Sequence, residues 1–479
     1  MQNPTERVHL LPLCVDLDGT LLKTDMLLES FVLLLKKNVL YIFLIPIWLL
    51  QGKANLKRQI AERISFDADT LPYRNDFVEF LKDQHARGRK LILITASDER
   101  IANKIAAHLS LFSEVLSSNG VSNLSGREKL GLLQQKFGVK GFDYAANGMI
   151  DLEIWPYANE AIVVGAPLSL VEKVRQTTPV PHHFPNKKIH MRVLFKAIRL
   201  HQWLKNLLIF VPLIFAHKVT ELPLLFDAVY AFFSFGLCAS SIYLLNDLLD
   251  LEADRAHPRK KFRPLAAGDL PLIWGFILIP ILLFASVLIA LNLPGIFLAV
   301  LGIYFLTTMA YSFYLKQVVL VDVLVLAGLY TLRIIAGAAA VTVPASQWLL
   351  AFSMFFFLSL ALLKRFSELQ ILRSMDEEMT MGRGYLTRDL EQIASFGAAS
   401  GYIAVLVLAL YVNSREVLVL YSQPGVLWLL CPLFLYWISR LWLLAHRGQI
   451  FDDPILFAVK DKASYIVAIL TGGTLLMAL

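Results

Sequence analysis

The chain has 479 residues, of which 57% are hydrophobic and 17% are charged, and its formal net charge is +7. This composition is too apolar for a purely water-soluble protein, and no basic stripe with interleaved aromatic residues points to nucleic acid. The three cysteines, Cys14, Cys238 and Cys431, are too widely spaced for a disulfide framework or a zinc site. No signal peptide is visible, and the bases lie in loops, so phosphates and anionic lipid are the expected partners.

The first predicted element is a buried strand over residues 10–15, which ends in Asp16, Leu17, Asp18, Gly19 and Thr20. The loop after a strand can turn two carboxylates spaced i and i+2 toward one phosphate group. Asp-Gly-Thr alone is an ordinary turn, but the full pentapeptide after an apolar strand is a more specific pattern. It predicts a phosphate-handling site at the end of this strand.

Three further segments with polar residues follow along the chain. A second apolar run ends in Thr95, and a later segment contains Lys129. The third segment, residues 147–151, begins with Asn147 and ends with Asp151. Over residues 9–165 this order resembles the haloacid dehalogenase-like (HAD-like) hydrolase superfamily. The resemblance implies an α/β Rossmann-like fold, in which Asp16 attacks phosphorus and Asp18 acts as acid and base.

The same resemblance assigns the remaining roles in this site. Thr95 would bind a phosphate oxygen, Lys129 would supply the expected lysine, and Mg²⁺ would be held by Asp16, Asp18, Asn147 and Asp151. The superfamily usually has an acid where Asn147 stands, and an amide oxygen can bind Mg²⁺ without contributing charge. Phosphatase activity is therefore predicted with weaker metal binding.

A helical cap is predicted at about residues 25–85, between the first two motifs. It includes twelve consecutive apolar residues, 39–50, with Lys36, Lys37 and Lys53 on either side. The run is short for a membrane span, so it is either a helix in the core of the cap or a helix lying on anionic lipid. The flanking lysines favour lipid.

The segment 176–190, with three prolines and the pair His182 and His183, is predicted to be a stiff linker because no third metal ligand lies nearby. Residues 1–175 then form the α/β domain and residues 191–479 form an all-α membrane bundle. Nine transmembrane helices are predicted, at about 204–217, 224–245, 271–291, 295–314, 318–340, 346–363, 394–412, 425–445 and 463–479.

The charges of the connecting loops predict the orientation of the bundle. One side carries fourteen bases and the other carries two, Lys218 and Arg415, which by the positive-inside rule places the richer side in the cytoplasm of a bacterial inner membrane. The fourteen are Arg255, Arg259, Lys260, Lys261, Arg263, Lys316, Lys364, Arg365, Arg373, Arg383, Arg388, Arg447, Lys460 and Lys462. The α/β domain is expected on the same side.

The first of these loops contains the densest cluster of charges in the chain. Its carboxylates stand at spacings of three and four, so they share one face of a helix and can hold a Mg²⁺ ion, and the bases behind them can hold phosphate oxygens. A basic cluster alone marks a membrane boundary, but that role does not require the acids. The predicted metal ligands are Asn246, Asp247, Asp250 and Asp254, and the predicted substrate-binding bases are Arg255, Lys260 and Arg263.

Other polar residues lie at or inside the predicted spans. Asp322 and Arg333 are eleven residues apart on one helix, too far to pair directly, so each must meet a metal, a phosphate or a polar cavity. Lys364, Arg365 and Glu368 are placed in a loop, where they are either solvated or part of a polar cap. The substrate-binding residues predicted outside the first loop are Lys205, Asn206, Tyr311, Lys316, Asp322 and Arg333.

Residues 190–479 resemble the UbiA prenyltransferase superfamily through the pattern Asn-Asp-x-x-Asp-x-x-x-Asp after the second span. The run 246–268 is most similar to the decaprenyl-phosphate phosphoribosyltransferases. Prenyl-transferring members have a second paired-aspartate motif after the fourth span, where this chain has Asp322 alone.

The resemblance implies a bifunctional enzyme. The membrane domain would transfer 5-phosphoribose from 5-phosphoribosyl diphosphate to polyprenyl phosphate with Mg²⁺, and the HAD-like domain would remove the 5-phosphate, giving a lipid-linked pentose for the cell envelope. Two alternatives remain open at this point. One is transfer of a prenyl diphosphate to an aromatic acceptor, and the other is a non-catalytic regulatory role for the α/β domain.

Overall fold

A computed structural model describes residues 10–186, 190–374, 384–450 and 453–479. The chain divides into two compact units, which do not coincide with the predicted domains. The first comprises Met1–Ile198 and Tyr243–Ile279, and the second comprises Arg199–Ile242 and Pro280–Leu479. The charged loop after the second predicted span therefore belongs to the unit that contains the α/β domain.

The first unit contains a six-stranded, fully parallel sheet with the order β3-β2-β1-β4-β5-β6. Of the four inner strands, β1, β4 and β5 are completely buried and mostly apolar, as expected for a parallel sheet covered on both faces. This confirms the predicted α/β class. The strands are β1 (Leu13–Val15), β2 (Leu91–Asp98), β3 (Glu114–Ser118), β4 (Asp143–Ala146), β5 (Ala161–Val164) and β6 (His182–Phe184).

Eight helices accompany this sheet within the first part of the chain, and the first four lie between β1 and β2. They are α1 (Met26–Lys37), α2 (Ile45–Leu50), α3 (Lys53–Ala61), α4 (Asn75–Ala86), α5 (Glu99–Leu109), α6 (Arg127–Phe137), α7 (Leu168–Arg175) and α8 (Met191–Ala197). The apolar run 39–50 folds as a 3₁₀ helix, Val39–Phe43, followed by α2.

The predicted linker is wrong in part, because it contributes the sixth strand. Strand β6 pairs in parallel with β5, placing His182 beside Ile162 and His183 beside Val163. The two histidines are therefore sheet residues. Backbone pairing with a neighbouring strand, which composition does not report, outweighs the local effect of the prolines.

The rest of the chain is helical. Its helices are α9 (Val211–Phe215), α10 (Leu222–Leu249), α11 (Leu251–Ala256), α12 (Leu272–Ala290), α13 (Gly295–Phe313), α14 (Val321–Ala340), α15 (Gln347–Arg373), α16 (Leu390–Val412), α17 (Arg415–Leu420), α18 (Leu430–His446), α19 (Pro454–Ala458) and α20 (Lys462–Ala478).

Seven helical segments among the described residues are long and apolar enough to cross a membrane, and they correspond to the second to eighth predicted spans. The predicted total of nine is not reached, because the first and last predicted spans form shorter apolar helices, Leu200–Phe215 and Lys462–Ala478. The seven are Leu222–Leu249, Leu272–Ala290, Gly295–Phe313, Val321–Ala340, Gln347–Arg373, Thr387–Val412 and Pro424–His446.

Candidate functional site

The predicted phosphate site lies where the central strands of the sheet end. Asp16 follows β1 directly, and Asn147 follows β4, which is hydrogen-bonded to β1. Because the carboxyl ends of neighbouring parallel strands meet at one edge, residues separated by 131 positions lie side by side here. Thr20 donates a hydrogen bond to Asn147 Oδ1 at 3.3 Å, which joins the two loops.

A buried network connects Asp16 with two other predicted residues. Lys129 Nζ donates to Asp16 Oδ1 at 2.8 Å and to the Tyr144 hydroxyl at 3.2 Å, and that hydroxyl donates to Asp151 Oδ1 at 2.8 Å. Burial opposes the charge of Lys129, but Asp16 and Asp151 outweigh it and raise the lysine's pKa. Lys129 is therefore held as a cation beside the carboxylate predicted to attack phosphorus.

Asp18 is held differently from Asp16. Its Oδ1 accepts from the backbone N–H of Met26 at 2.7 Å, and its Oδ2 accepts from the Ser97 hydroxyl at 2.9 Å. Burial, with the charges of Asp25 and Asp16 nearby, raises the pKa of Asp18 to about 7. A carboxyl group with this pKa can give and take a proton near neutral pH, as an acid-base role requires.

Thr95, the second-motif residue, is completely buried in β2. Its Oγ1 accepts from the backbone N–H of Ser97 at 3.0 Å, so it supports the residue that binds Asp18. The sequence prediction had assigned no role to Ser97. Ser97 lies near the end of β2, two positions beyond the predicted motif residue, and only the structure shows that its hydroxyl reaches Asp18.

Gly19 is required by the geometry of the motif. Its φ is +73°, and a Cβ atom added there would lie 2.1 Å from Asn147 Nδ2. A side chain at this position would both strain the backbone and displace the amide. Arg74, at the start of α4, donates to the Gly19 carbonyl oxygen from Nε and Nη2, each at 3.1 Å, and so holds the same turn from outside.

Two further residues of this site were missed in the sequence. Tyr144 joins Lys129 to Asp151, and the only signal for it is a hydroxyl inside the buried strand β4. Lys57 on α3 donates to the Ala96 carbonyl oxygen at 2.6 Å and to Asn123 Oδ1 at 2.8 Å. It brings a cap cation to the end of β2 and to the segment after β3, and burial lowers its pKa.

The acidic loop begins inside helix α10 and continues through α11. The backbone bends at Asp250, which separates the two helices, so Asp247 and Asp254 do not share one continuous helix as predicted. Their carboxylates are nevertheless brought together by Arg263, whose Nη1 donates to Asp247 Oδ1 at 3.1 Å and to Asp254 Oδ2 at 2.5 Å. Burial raises the pKa of Asp254 to about 6, although Arg263 opposes this shift.

The neighbouring predicted ligands lie around this bridge. Asn246 and Asp250 are half-buried at the bend, and Lys260, in the short 3₁₀ helix Lys260–Phe262, adds positive charge near Asp254. Among the described residues, no three His, Cys, Asp or Glu side chains are arranged as ligands of one metal ion. Mg²⁺ commonly takes one or two protein carboxylates together with substrate phosphate and water, so pairs such as Asp247 with Asp254, or Asp16 with Asp151, suit it.

Arg255, one of the predicted substrate-binding bases, is paired with a carboxylate of α1. Its Nη2 donates to Glu29 Oε1 at 2.5 Å, its Nη1 to Glu29 Oε2 at 3.3 Å, and its Nε to the Ala266 carbonyl oxygen at 3.0 Å. Both charged side chains are almost completely buried. Since Glu29 is on α1 and Arg255 on α11, this pair joins the α/β domain to the acidic loop.

The second unit contains its own polar cluster inside the helices. Lys205 Nζ forms an ion pair with Asp453 Oδ2 at 2.6 Å, and Lys364 Nζ lies 3.6 Å from the same oxygen. Burial opposes the charge of Asp453, but the two lysines outweigh it and hold its pKa well below the usual range. Two lysines thus converge on one carboxylate.

Next to this pair, Arg333 is held by Asn206 and aromatic rings. Its Nε donates to Asn206 Oδ1 at 3.0 Å, and its guanidinium lies 5.4 Å from the centre of the Tyr330 ring, the ring that also faces Lys205. Asn206 is buried, and its Nδ2 has no hydrogen-bond partner among the described residues. A buried donor of this kind is available to a ligand or a water molecule.

Asp322 is neutralised within the protein. Arg365 donates to both of its carboxylate oxygens, and the Tyr311 hydroxyl donates to Oδ1 at 2.8 Å. The loop predicted for Lys364, Arg365 and Glu368 is wrong, because helix α15 continues to Arg373 and buries Arg365. Lys316 lies in a 3₁₀ helix, Leu315–Gln317, while Arg383 and Asp452 are outside the described residues.

Comparison with known proteins identifies the helical part of the chain. The family model for the UbiA prenyltransferase family matches residues 207–459, more than half of the chain. The chain belongs to the UbiA prenyltransferase family. This confirms the resemblance drawn from the acidic loop and the spans, and it makes a multi-pass membrane transferase the class of this protein.

Three relatives of this UbiA family member differ in how much of the chain they match. An uncharacterized protein, y4nM of Sinorhizobium fredii, is 38% identical over 473 residues, 98% of this chain and 91% of its own length. The nodulation protein NoeC of Azorhizobium caulinodans is 36% identical over 282 residues, 58% of this chain and 91% of the relative. Decaprenyl-phosphate phosphoribosyltransferase of Mycolicibacterium smegmatis is 32% identical over 288 residues, 59% of this chain and 91% of the relative.

Proposed function

We propose that this protein transfers 5-phosphoribose from 5-phosphoribosyl diphosphate to polyprenyl phosphate, and that its α/β domain then removes the 5-phosphate as a HAD-like phosphatase. The observation that carries the transfer step is the pairing of Asp322 with Arg365, which neutralises the single carboxylate that stands where prenyl-transferring members have a second paired-aspartate motif. The similarity to a decaprenyl-phosphate phosphoribosyltransferase supports the same donor.

In the transfer step, Asp247, Asp250 and Asp254 would hold Mg²⁺, which when bound offsets the negative charge of the leaving diphosphate. In the structure the Arg263 guanidinium bridges Asp247 and Asp254, so a positive charge already lies between the carboxylates that would hold the metal. A phosphate oxygen of the acceptor attacks the anomeric carbon as the bond to diphosphate breaks. No general base is needed, since the acceptor is already an anion.

The second unit would supply groups for phosphate recognition. Lys205, Asn206 and Arg333 lie together, and the Asn206 amide has a donor to spare. Arginine and lysine side chains in buried surroundings bind phosphate oxygens strongly because little water competes with them. Tyr311 and Lys316 complete the proposed set, and Arg255 is removed from it because it is paired with Glu29.

In the phosphatase step, Asp16 would attack phosphorus while Asp18 protonates the departing ribose oxygen, leaving a phosphorylated aspartate. Asp18 would then take a proton from the water that hydrolyses it, releasing phosphate. Lys129 and Thr95 would hold phosphate oxygens, and Asp16, Asp151 and Asn147 would bind Mg²⁺. The proposed site is supported by the hydrogen-bonded network that joins Asp16, Lys129, Tyr144 and Asp151.

The loop charges support an orientation with the α/β domain and the acidic loop on the cytoplasmic side of a bacterial inner membrane. Both proposed substrates would then present their phosphate groups on the cytoplasmic side. The product would be polyprenyl-phosphoryl ribose, a lipid-linked pentose for envelope glycans.

One doubly labelled donor tests both steps. The purified full-length protein is incubated with Mg²⁺, polyprenyl phosphate and 5-phosphoribosyl diphosphate that carries ¹⁴C in the ribose and ³²P in the 5-phosphate. We expect a lipid with ¹⁴C and without ³²P. A reaction that forms no ¹⁴C-labelled lipid refutes the transferase, and a lipid that keeps both labels refutes the phosphatase.

A further inference from the structure

The apolar segment Val39–Leu50 has one face on the protein and one face outside it. Trp48 is 7% exposed and packs with Leu34 and Ile60, and Tyr41 and Ile45 lie against the same cluster. The outer face carries large apolar side chains, of which Leu40 is 62%, Phe43 73% and Leu50 89% exposed. The segment is therefore fixed to the cap, and its outer face is an apolar surface.

The chain on either side of this segment carries charge of one sign. From residue 30 to residue 61 the chain has no acidic residue, and the exposed Lys36 and Lys53 stand at the two ends of the apolar segment. An apolar face bordered by lysines complements a bilayer with anionic headgroups, because the apolar side chains enter the acyl region while the ammonium groups stay at the phosphates.

Helix α1, which leads into the segment, contacts the parts of the first unit that adjoin candidate membrane spans. The Phe31 ring lies 5.6 Å, between centroids, from the ring of Phe276 in the second turn of α12. Glu29 holds Arg255, six residues after the end of α10. From Phe31 to Lys37 a helix rises only about 9 Å, so the apolar segment starts close to the level at which a span enters the membrane.

We propose that Val39–Leu50 is a membrane-surface anchor, whose outer face inserts into the headgroup and upper acyl region of an anionic bilayer. The exposed side chains, the one-signed charge and the contact of α1 with α12 each point to lipid as the occupant. The anchor holds the cap at the bilayer, where it can present the phosphate of a lipid-linked substrate to the α/β domain. That last consequence rests on the proposed function, whereas the anchor itself does not.

Fluorescence quenching in nanodiscs tests the anchor directly on the full-length protein. The variants Phe43→Cys and Leu50→Cys are labelled with an environment-sensitive fluorophore, and Val121→Cys, 90% exposed in the same unit, is the matched control. The three native cysteines are buried, so the introduced thiol reacts selectively. With spin-labelled lipids in discs that contain phosphatidylglycerol, we expect at least about twofold quenching at residues 43 and 50 and none at 121.

Equal, weak quenching at all three positions overturns the proposal. Energy transfer between labelled copies without quenching by lipid also overturns it, and assigns the face to a second copy of the chain. Lys36→Glu together with Lys53→Glu should reduce the quenching at residue 50, and the reduction should be larger in anionic discs than in discs of phosphatidylcholine alone. The same reduction in both lipids contradicts the role of the lysines.

Turnover separates the anchor from the phosphatase chemistry. Phe43→Asp with Leu50→Asp should slow hydrolysis of a lipid-linked phosphate at least about fivefold and leave hydrolysis of p-nitrophenyl phosphate within about twofold of the wild type. Equal loss on both substrates means that the change damaged the domain. If neither substrate is hydrolysed by the wild-type protein, the proposed phosphatase fails while the quenching result stands.

Discussion

The phosphate site of the α/β domain and the polar cluster of the second unit differ in how their buried carboxylates are neutralised. In the α/β domain, Asp16, Asp18 and Asp151 crowd around Lys129, and burial and neighbouring acids raise the pKa of Asp18 to about 7 and that of Asp151 to about 6. In the second unit, Arg365 pairs with Asp322 and two lysines with Asp453.

The difference indicates what each region lacks. A crowded set of carboxylates is relieved by a cation, so the first site suits Mg²⁺ and phosphate chemistry. In the second region the carboxylates already have partners, and the unused capacity is that of donors such as the Asn206 amide. We expect substitutions of the crowded carboxylates in the first region to affect chemistry, and substitutions of the partners of Asp322 and Asp453 in the second to affect stability.

The largest expected effect comes from Asp16→Asn. Loss of the proposed nucleophile should reduce removal of the 5-phosphate at least about 10³-fold, and transfer to the lipid should continue, because the acidic loop is unchanged. Release of ³²P from the labelled lipid measures it. Unchanged release would assign the α/β domain a regulatory role.

Arg365→Ala should cost about 3–5 kcal/mol of unfolding free energy, because it leaves the fully buried Asp322 charge without its partner. Denaturant unfolding in detergent measures the change. Arg373→Ala, on the same helix but in an exposed pair with Glu391, is the control and should cost under about 1 kcal/mol. Equal losses in the two variants would contradict the assignment of Arg365 as a structural partner.

Arg255→Ala should lower the free energy of unfolding by about 3 kcal/mol, since Glu29 is then buried without a counter-charge. Hydrogen exchange should rise in both α1 and α11, and the double variant Glu29→Gln, Arg255→Gln should recover part of the loss. Arg127→Ala, which removes an exposed pair with Glu153, serves as control. Faster exchange in α11 alone would show that the pair does not join the two elements.

The smallest expected effect is that of Tyr144→Phe. The change removes the hydroxyl between Lys129 and Asp151 but keeps the ring, so a loss of about 1 kcal/mol in stability and roughly tenfold in phosphatase rate is expected. Timed hydrolysis assays measure the phosphatase rate, and thermal unfolding measures the stability. A rate equal to that of the wild type would exclude Tyr144 from positioning Lys129.

Much of the architecture follows from local patterns. Continuous apolar strands indicated a parallel sheet, and apolar runs near twenty residues located seven spans. The largest error is at the end of α15, which continues to Arg373 and not only to residue 363. The first and last predicted spans were wrong, because composition does not report where a helix stops. The bend at Asp250 was missed for the same reason, since a spacing of three or four residues is equally compatible with one straight helix.

The sequence by itself determined which chemical groups this protein has: the pentapeptide 16–20, the acidic loop, the bases at the membrane boundary and the spans that identify the UbiA family. Only the tertiary structure decided how they pair. Arg255 meets Glu29, Arg263 bridges Asp247 and Asp254, and Arg365 neutralises Asp322. These partners lie 9 to 226 positions apart in the chain. The energy of an ion pair depends on distance and burial, which the order of residues does not contain.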